Sequence, residues 1–244
     1  MRDGPFIDWG WIGDHLDDVE TATLEHLRLT LIAVVVGFAL ATLLSVLAVR
    51  WRWTLAPITW VTGIVYTIPS LALFTLLVPI TGLGTTLTAE IALVGYTLLI
   101  LVRNFVAGID GVPASAREAA DGMGYTRWRR LVGVEIPLAT PAIIAGLRIA
   151  TVSTVGLVTV TSLVGLGGYG GFIKQGLQRQ FATQIVLGGA LSVLMALLID
   201  LVLVGAERAV TPWRRQQRVR RVPVAAGLTD LAAGRLPDEV TLLP

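Results

Sequence analysis

Apolar residues in this chain gather into five long runs, with the polar residues collected between them. Residues 29–49 carry no charge and match the ~20 residues a helix needs to cross a bilayer. Residues 57–80 form a second uncharged run, interrupted by Pro69. A mid-span proline removes a backbone donor, so this run predicts a kinked spanning helix. Gly82-Leu83-Gly84 supplies a turn, and a third span is expected over 86–106. Glu90 and Arg103 lie near its ends, ~20 Å apart along a helix, too far to pair, and both are expected at the membrane interface. The fourth and fifth spans are predicted over 137–163 and 181–206. The pattern specifies an all-α, polytopic membrane helix bundle of about five transmembrane helices.

Two runs carry stripes of small residues at helical spacing: Ala33, Gly37, Ala41 and Ser45 in the first, Ala142, Gly146 and Ala150 in the fourth. Such stripes let helices approach closely. The fourth run is unusually polar, and Thr151, Thr154 and Thr161 fall on one helical face. A polar face is wasted on lipid, so these threonines, with Pro69 and Ser70, are candidates to line a path. The alternative is that their hydroxyls bond their own backbone. Arg148 sits inside the fourth span and Asp200 near the far end of the fifth. Helical side chains lean toward their own N-terminus, so on oppositely directed helices these two converge, and a pair is expected. The alternative places Arg148 snorkelling to water and Asp200 at the interface.

The longest polar island lies between the third and fourth spans, over residues 113–136. Ser115 and Glu118 have capping-box spacing, which predicts a short helix starting just after Pro113. Ala119 and Ala120 keep one side of it thin, Gly122 and Gly124 end it, and a basic segment begins at Thr126. Pro137 stands where a first-turn proline belongs. This is a helix–turn–helix beside a membrane, and a docking surface.

Composition agrees with the membrane class: 54% of the 244 residues are hydrophobic and 15% charged, and the mean hydropathy is +0.74. There is no cysteine, which excludes disulfides and thiol chemistry. The two histidines, His15 and His26, lie close to the N-terminus, which argues against a histidine metal cluster. Lys174 is the sole lysine and no phosphate-binding Gly-x-x-x-x-Gly-Lys-Ser/Thr loop precedes it, so the chain is not expected to hydrolyse ATP itself. Gly165-x-Gly167-x-x-Gly170 has the spacing of a dinucleotide-binding turn. It follows a span rather than a strand, so a flexible turn leading to an amphipathic piece over 172–180 is the better reading.

Basic residues set the orientation. Arg50, Arg52, Arg103, Arg117, Arg127, Arg129, Arg130 and all those after the fifth span fall on one side of the membrane. Arg2, Arg28, Lys174 and Arg179 fall on the other. The positive-inside rule then places the N-terminus outside and the C-terminus in the cytoplasm. The expected organisation is an extracytoplasmic segment over 1–23 with a short interfacial helix, a transmembrane domain over 24–210, and a basic, disordered cytoplasmic tail over 211–244. The acidic N-terminus lacks the basic start of a cleavable signal sequence. The basic run after Trp213 suits anionic lipid headgroups better than nucleic acid.

Glu118-Ala119-Ala120, three residues, Gly124, nine residues, Val134, then Ile136-Pro137 resembles the signature loop of permease subunits of bacterial ABC importers. Tyr66 to Leu73, Arg103-Asn104 to Gly111, Ile144 to Thr151 and Gly165 to Gly170 are similar to the osmoprotectant branch, which imports glycine betaine, carnitine, choline or proline. The resemblance covers roughly residues 24–210 and implies the permease fold of the methionine-permease type. It implies that Glu118, Ala119, Ala120, Gly124, Val134 and Pro137 couple the chain to a separate ABC ATPase, which holds the ATP and magnesium. It further implies a second permease subunit, identical or paralogous, an extracytoplasmic substrate-binding protein and a prokaryotic plasma membrane. The alternatives are a permease for methionine or polar amino acids, and a membrane scaffold without a transport path.

Overall fold

A computed structural model describes residues 6–211. Its elements are α1 (Trp9–Asp14), α2 (Leu16–Arg50), α3 (Leu55–Thr67), α4 (Ser70–Thr81), α5 (Thr86–Asp110), α6 (Ala114–Gly122), α7 (Arg127–Arg130), α8 (Ile136–Val160), α9 (Tyr169–Arg179) and α10 (Ala182–Val210). The chain divides into two units, Met1–Gly205 and Ala206–Pro244. The bundle belongs to the first. Of the second, the end of α10 and Thr211 are described, and the basic run and tail expected after Trp213 lie outside the described residues.

Long helices α2, α5 and α10 and the helical stretch Arg127–Val164 are each apolar and long enough to cross a membrane. In the second apolar run the break at Pro69 is sharper than a kink: the run forms two helices, α3 and α4, bent by 98° between Thr67 and Ser70, as a broken span or a re-entrant pair. The cause is local: the ring of Pro69 disfavours helical backbone in the residue before it. Ile68 is extended at φ −66°, ψ 127° and Pro69 at φ −55°, ψ 136°. The break leaves the Ile68 carbonyl without a helical donor, and the Tyr96 hydroxyl donates to it at 2.5 Å.

Helix α5 is the axis of the bundle. Ala89, Ala92, Leu93 and Val102 on it are fully buried, and the small-residue stripes of its neighbours face it. A Cβ on Gly37 of α2 would strike the Thr97 side chain, and one on Gly146 of α8 would strike Asn104. Gly108 of α5 faces Ala142 in return. Lipid is as apolar as leucine, so helices gain little by hiding apolar surface from it. Close backbone approach gains dispersion contacts instead. Helix α2 begins at Leu16, ahead of the apolar run, and at 35 residues is roughly 50 Å long, so it projects well beyond a ~30 Å hydrocarbon core.

That projection holds the glycine turn. Glu25 accepts backbone N–H bonds from Gly167 and Gly168, both at 3.0 Å. Tyr169 donates its N–H to His26 Nδ1 at 3.3 Å, and His26 Nε2 meets the Val155 carbonyl at 3.0 Å. The His26 proton therefore sits on Nε2, because Nδ1 accepts. The Tyr169 ring stacks on His26 at 4.5 Å, and its hydroxyl bonds Thr23. Gly165 and Gly168 have φ of +93° and +67°, and Gly170 rides directly on the Thr159 carbonyl. These glycines shape a tied turn rather than a flexible one. At the opposite end of the bundle, Arg52 after α2 pairs with Asp110 at the close of α5, which places α6 at that end.

Gly170→Ala should lower the unfolding midpoint in detergent, at a cost of about 1–3 kcal/mol for overpacking. Gly171→Ala, whose Cβ meets nothing within 4 Å, should leave the midpoint unchanged or slightly raised. Equal midpoints for the two variants would contradict the close approach.

Candidate functional site

The polar island folds as two short helices joined to α8. Pro113, extended at φ −55°, ψ 137°, sits at the N-cap of α6 and its carbonyl accepts from Ala116 and Arg117 at 3.1 and 3.4 Å. The helix starts where the sequence places it, but the capping box with Glu118 does not form. Ser115 already lies inside the first turn, and α6 has no side-chain cap. The two alanines part company. Ala120 is fully buried against the bundle, whereas Glu118, Ala119 and Gly122 are exposed on the other side. Met123 joins this outer face at 65% exposure.

Gly124 closes α6. At φ +76° it occupies the left-handed region that side-chain-bearing residues enter only at a cost. That turn lets Tyr125 N–H reach the Ala120 carbonyl and Gly124 N–H reach the Asp121 carbonyl, both at 3.0 Å, the two bonds of a Schellman ending. Thr126 then caps α7 by accepting from Arg129 N–H at 3.3 Å. The chain enters α8 through a π turn over Leu131–Glu135, in which Ile136 N–H bonds the Leu131 carbonyl. Pro137 follows in the first turn of α8. Its missing N–H and bulky ring suit a wider turn. Val134, within that turn, is half-buried.

Four charged residues tie these pieces together, and the sequence did not single them out as a set. Arg130 donates Nε to Glu135 Oε1 at 2.9 Å and a terminal nitrogen to Asp121 at 2.6–2.7 Å. Arg117 places Nε 3.5 Å from the same Glu135 oxygen and bonds the Ile109 carbonyl at 2.5 Å. The Glu135 side chain is 6% exposed. A buried carboxylate is costly unless paired, so Glu135 holds both arginines. Asp121 is 53% exposed, and its arm contributes little to stability. Beneath the network Phe105, Ile109, Val112, Leu131, Ala139 and Ile143 form one buried cluster. A push on α6 is therefore delivered to α5 and α8 together. The signal available in sequence was the density of opposite charges at Arg117, Asp121, Arg130 and Glu135; the five-residue step from Arg130 to Glu135 fits a π turn rather than an α-helix.

A second feature lies at the α3–α4 break, where a cavity of about 470 Å³ is lined by Tyr66, Pro69, Ser70, Tyr96, Ser153 and Thr154 among others. Pro69, Ser70 and Thr154 thus share one space. Thr151 and Thr161 do not reach it: they are 3% and 0% exposed and donate to the Leu147 and Val158 carbonyls at 2.8 Å. Thr154 likewise bonds the Ala150 carbonyl at 2.8 Å. The polar face of α8 packs against the bundle, its threonine hydroxyls spent on their own helix. Tyr66, Tyr96 and Ser153 were not foreseen, although Tyr66 stands three residues before the breaking proline.

Arg148 and Asp200 form a two-pronged ion pair, Nε to Oδ1 at 2.7 Å and a terminal nitrogen to Oδ2 at 2.8 Å. It joins α8 to α10, with side chains 32% and 28% exposed. The parallel geometry is the strong form of such a bond. Glu90 lies in the second turn of α5 and is half-buried. Both carboxylate oxygens are buried without a hydrogen-bond partner among the described residues.

A bundle of membrane-crossing helices with a broken helix beside a cavity, and a tied surface helix at one end, is the architecture of a transport permease. Residues 33–216 match the family described as the binding-protein-dependent transport system inner membrane component, and the chain belongs to it. Among curated relatives, the glycine betaine/carnitine/choline transport system permease protein OpuCB of Bacillus subtilis is 40% identical over 191 residues, 78% of this chain and 87% of that protein. The osmoprotectant import permease protein OsmW of Salmonella typhimurium is 34% identical over 204 residues, 82% and 94% of the two chains. Among solved structures, the inward-facing MetNI methionine ABC transporter superposes with a TM-score of 0.68 at 23% identity, covering 79% of this chain and 96% of that one. An amino acid ABC transporter solved with histidines superposes at 0.71 and 18% identity, covering 83% and 99%. The expected fold, the permease fold of ABC importers, is the one present. The chain is a multi-pass membrane protein.

Two outcomes follow. Gly124→Val should cost about 1–2 kcal/mol of local stability, read as faster amide exchange over residues 120–125 in a protein that still folds. Gly124→Asn, which tolerates the left-handed region, should exchange nearly as the wild type does. Reversing Arg148 to Asp or Asp200 to Arg alone should destabilise the α8–α10 contact, and the double reversal should recover much of the loss. A double variant no better than the singles would remove the pair as the cause.

Proposed function

We propose that this chain is the permease subunit of an ATP-driven importer for compatible solutes bearing a quaternary ammonium group, of the glycine betaine, carnitine or choline kind. The observation that carries this reading is α6. It is a short helix with an exposed face of Glu118, Ala119 and Met123, fixed by Arg117 to Glu135 at the start of α8 and to the Ile109 carbonyl of α5. Such a helix has the shape and rigidity to receive a stroke from another protein. A relative named for glycine betaine, carnitine and choline at 40% identity, and one named for osmoprotectants at 34%, support the substrate class. The methionine and amino-acid transporters, at 23% and 18%, share the architecture alone.

In this reading the chain lies in a prokaryotic plasma membrane with its N-terminus outside and its C-terminus in the cytoplasm. The basic residues clustered at the α6 end support that orientation. Two permease subunits form the path between them. ATPase subunits, which hold the ATP and Mg²⁺, dock on α6 with Glu118, Ala119 and Gly124 at the contact, while Ala120, packed on the bundle, and Val134 and Pro137 carry it into α8. A binding protein outside delivers the solute. Closure of the ATPases on ATP presses on α6, α5 and α8 move with it, and the path opens outward. Hydrolysis resets it. The permease does no chemistry of its own; it converts a change of ATPase spacing into a change of access.

ATP hydrolysis measured on the reconstituted assembly decides the matter. Binding protein loaded with glycine betaine or choline should stimulate turnover several-fold. Gly124→Val should insert into the membrane normally and lose uptake. Normal uptake by that variant would undo the coupling role of α6, and an assembly stimulated by methionine but by no quaternary ammonium solute would move the substrate assignment.

A further inference from the structure

Hydroxyl groups inside a membrane bundle ordinarily spend their proton on a carbonyl one turn back. Three threonines around the α3–α4 break do so: Thr67 on Ile64, Thr97 on Val94 and Thr154 on Ala150, each at 2.8 Å. Three other hydroxyls in the same cavity do not. Tyr66, Ser70 and Ser153 make no side-chain hydrogen bond among the described residues.

Depth makes this informative. Tyr66 lies in the last turn of α3, which starts at Leu55 near the end of the bundle that carries α6. Eleven residues of helix are roughly 17 Å, about half the thickness of the ~30 Å hydrocarbon core. Tyrosine belongs at the membrane interface, yet this one is 44% exposed near mid-depth. Against lipid its phenol would have no partner. It therefore needs polar groups within reach, and the cavity, though mostly apolar, offers the Ser70 and Ser153 hydroxyls.

The shape of that space specifies its occupant. The Tyr66 and Tyr96 rings meet edge to face, 6.0 Å apart and 70° inclined. Tyr96 is itself held by its bond to the Ile68 carbonyl, so the aromatic corner is fixed. Among the described residues, no charged side chain lines the cavity. A cation there finds an aromatic face instead of a carboxylate, an attraction of about 0.5–2 kcal/mol. A quaternary ammonium group suits this wall because it needs no acceptor for a donated proton. The unspent serine hydroxyls provide donors for a carboxylate. At about 470 Å³ the cavity accommodates a compact zwitterion. Weak retention also suits a passage, since a solute must leave as readily as it enters.

We propose that the cavity at the α3–α4 break is a transit site for a quaternary-ammonium zwitterion. Tyr66 holds the ammonium group by cation–π attraction, and the Ser70 and Ser153 hydroxyls donate to the carboxylate. The assignment rests on the importer reading above and adds a selective contact within the permease itself.

Tyr66→Phe keeps the aromatic face and Tyr66→Leu removes it, at a position exposed enough to tolerate both. In the reconstituted assembly with saturating loaded binding protein, Tyr66→Phe should import glycine betaine within about twofold of wild type, while Tyr66→Leu should fall roughly fivefold. Saturation-transfer NMR on the permease–ATPase complex alone should detect glycine betaine on the wild type and lose it with Tyr66→Leu. It should give a weaker signal for tert-butylacetate, which replaces the ammonium nitrogen by neutral carbon. Equal uptake by Tyr66→Leu and wild type, an equal fall in Tyr66→Phe and Tyr66→Leu, or equal signals from the two probes would each overturn the transit site. A wild-type assembly that hydrolyses ATP but imports no quaternary ammonium solute would overturn the functional reading, and the site with it.

Discussion

Inside a membrane every backbone N–H and C=O must find a partner within the protein, because lipid offers none. Helices meet this demand along their length. The structure is decided at the places where the chain leaves the helix. At the α3–α4 break the Tyr96 hydroxyl takes up the Ile68 carbonyl. At the glycine turn Glu25 and His26 take up the N–H groups of Gly167, Gly168 and Tyr169. At the foot of α6 the Schellman ending and the Arg117 bond to the Ile109 carbonyl do the same. The break and the glycine turn are thus tied to long helices remote in sequence, and the foot of α6 to the neighbouring end of α5.

The ties also explain how a thinly packed bundle holds motion together. Helix α5 is gripped by α2 and α8 through glycine and alanine contacts that leave no slack. Helix α10 is held differently, through Met195 against Ala22, Val155, Tyr169 and Phe172 and through the Arg148–Asp200 pair. The outer side of α10, including Leu194, Leu197, Leu198 and Leu201, stays exposed. The centre is closely packed and the margin is fastened at a few points.

Buried Glu135 joins the short helices of the polar island to α8. Its carboxylate is shared by an arginine from α6 and one from α7, and it sits on the π turn that opens α8. A neutral contact would fill the same volume without fixing direction. Arg130 bonds Glu135 directly at 2.9 Å, while the Arg117 Nε lies 3.5 Å from the same oxygen and makes no hydrogen bond among the described residues, so the charges link α6 and α7 to the start of α8. The cavity at the α3–α4 break lies farther into the same bundle, beside the α5 and α8 helices that α6 would move.

Much of this was legible without coordinates, and the reasons are local. Uncharged runs of span length give helices because backbone partners must be internal, Pro69 marks a break because its ring constrains Ile68, and Gly124 marks an ending because the turn needs a positive φ. The start of α6 was likewise readable from Pro113. What the sequence could not settle were quantities fixed by the distance between remote segments. Pro69 gives no sign whether the chain kinks or turns through 98°; that depends on Tyr96 waiting on another helix. The threonines of α8 share a face, but only packing decides that Thr151 and Thr161 are buried on their own carbonyls while Ser153, one step around the helix, opens into the cavity. The glycine motif is the same whether it cradles a phosphate or a carboxylate, and Glu25, some 140 positions earlier, makes it the latter. Local stereochemistry and hydrophobic period determined which helices exist and where they end. Their bend, their facing sides and the partners of their unspent polar groups belonged to the tertiary structure, because each depends on atoms the sequence places far away.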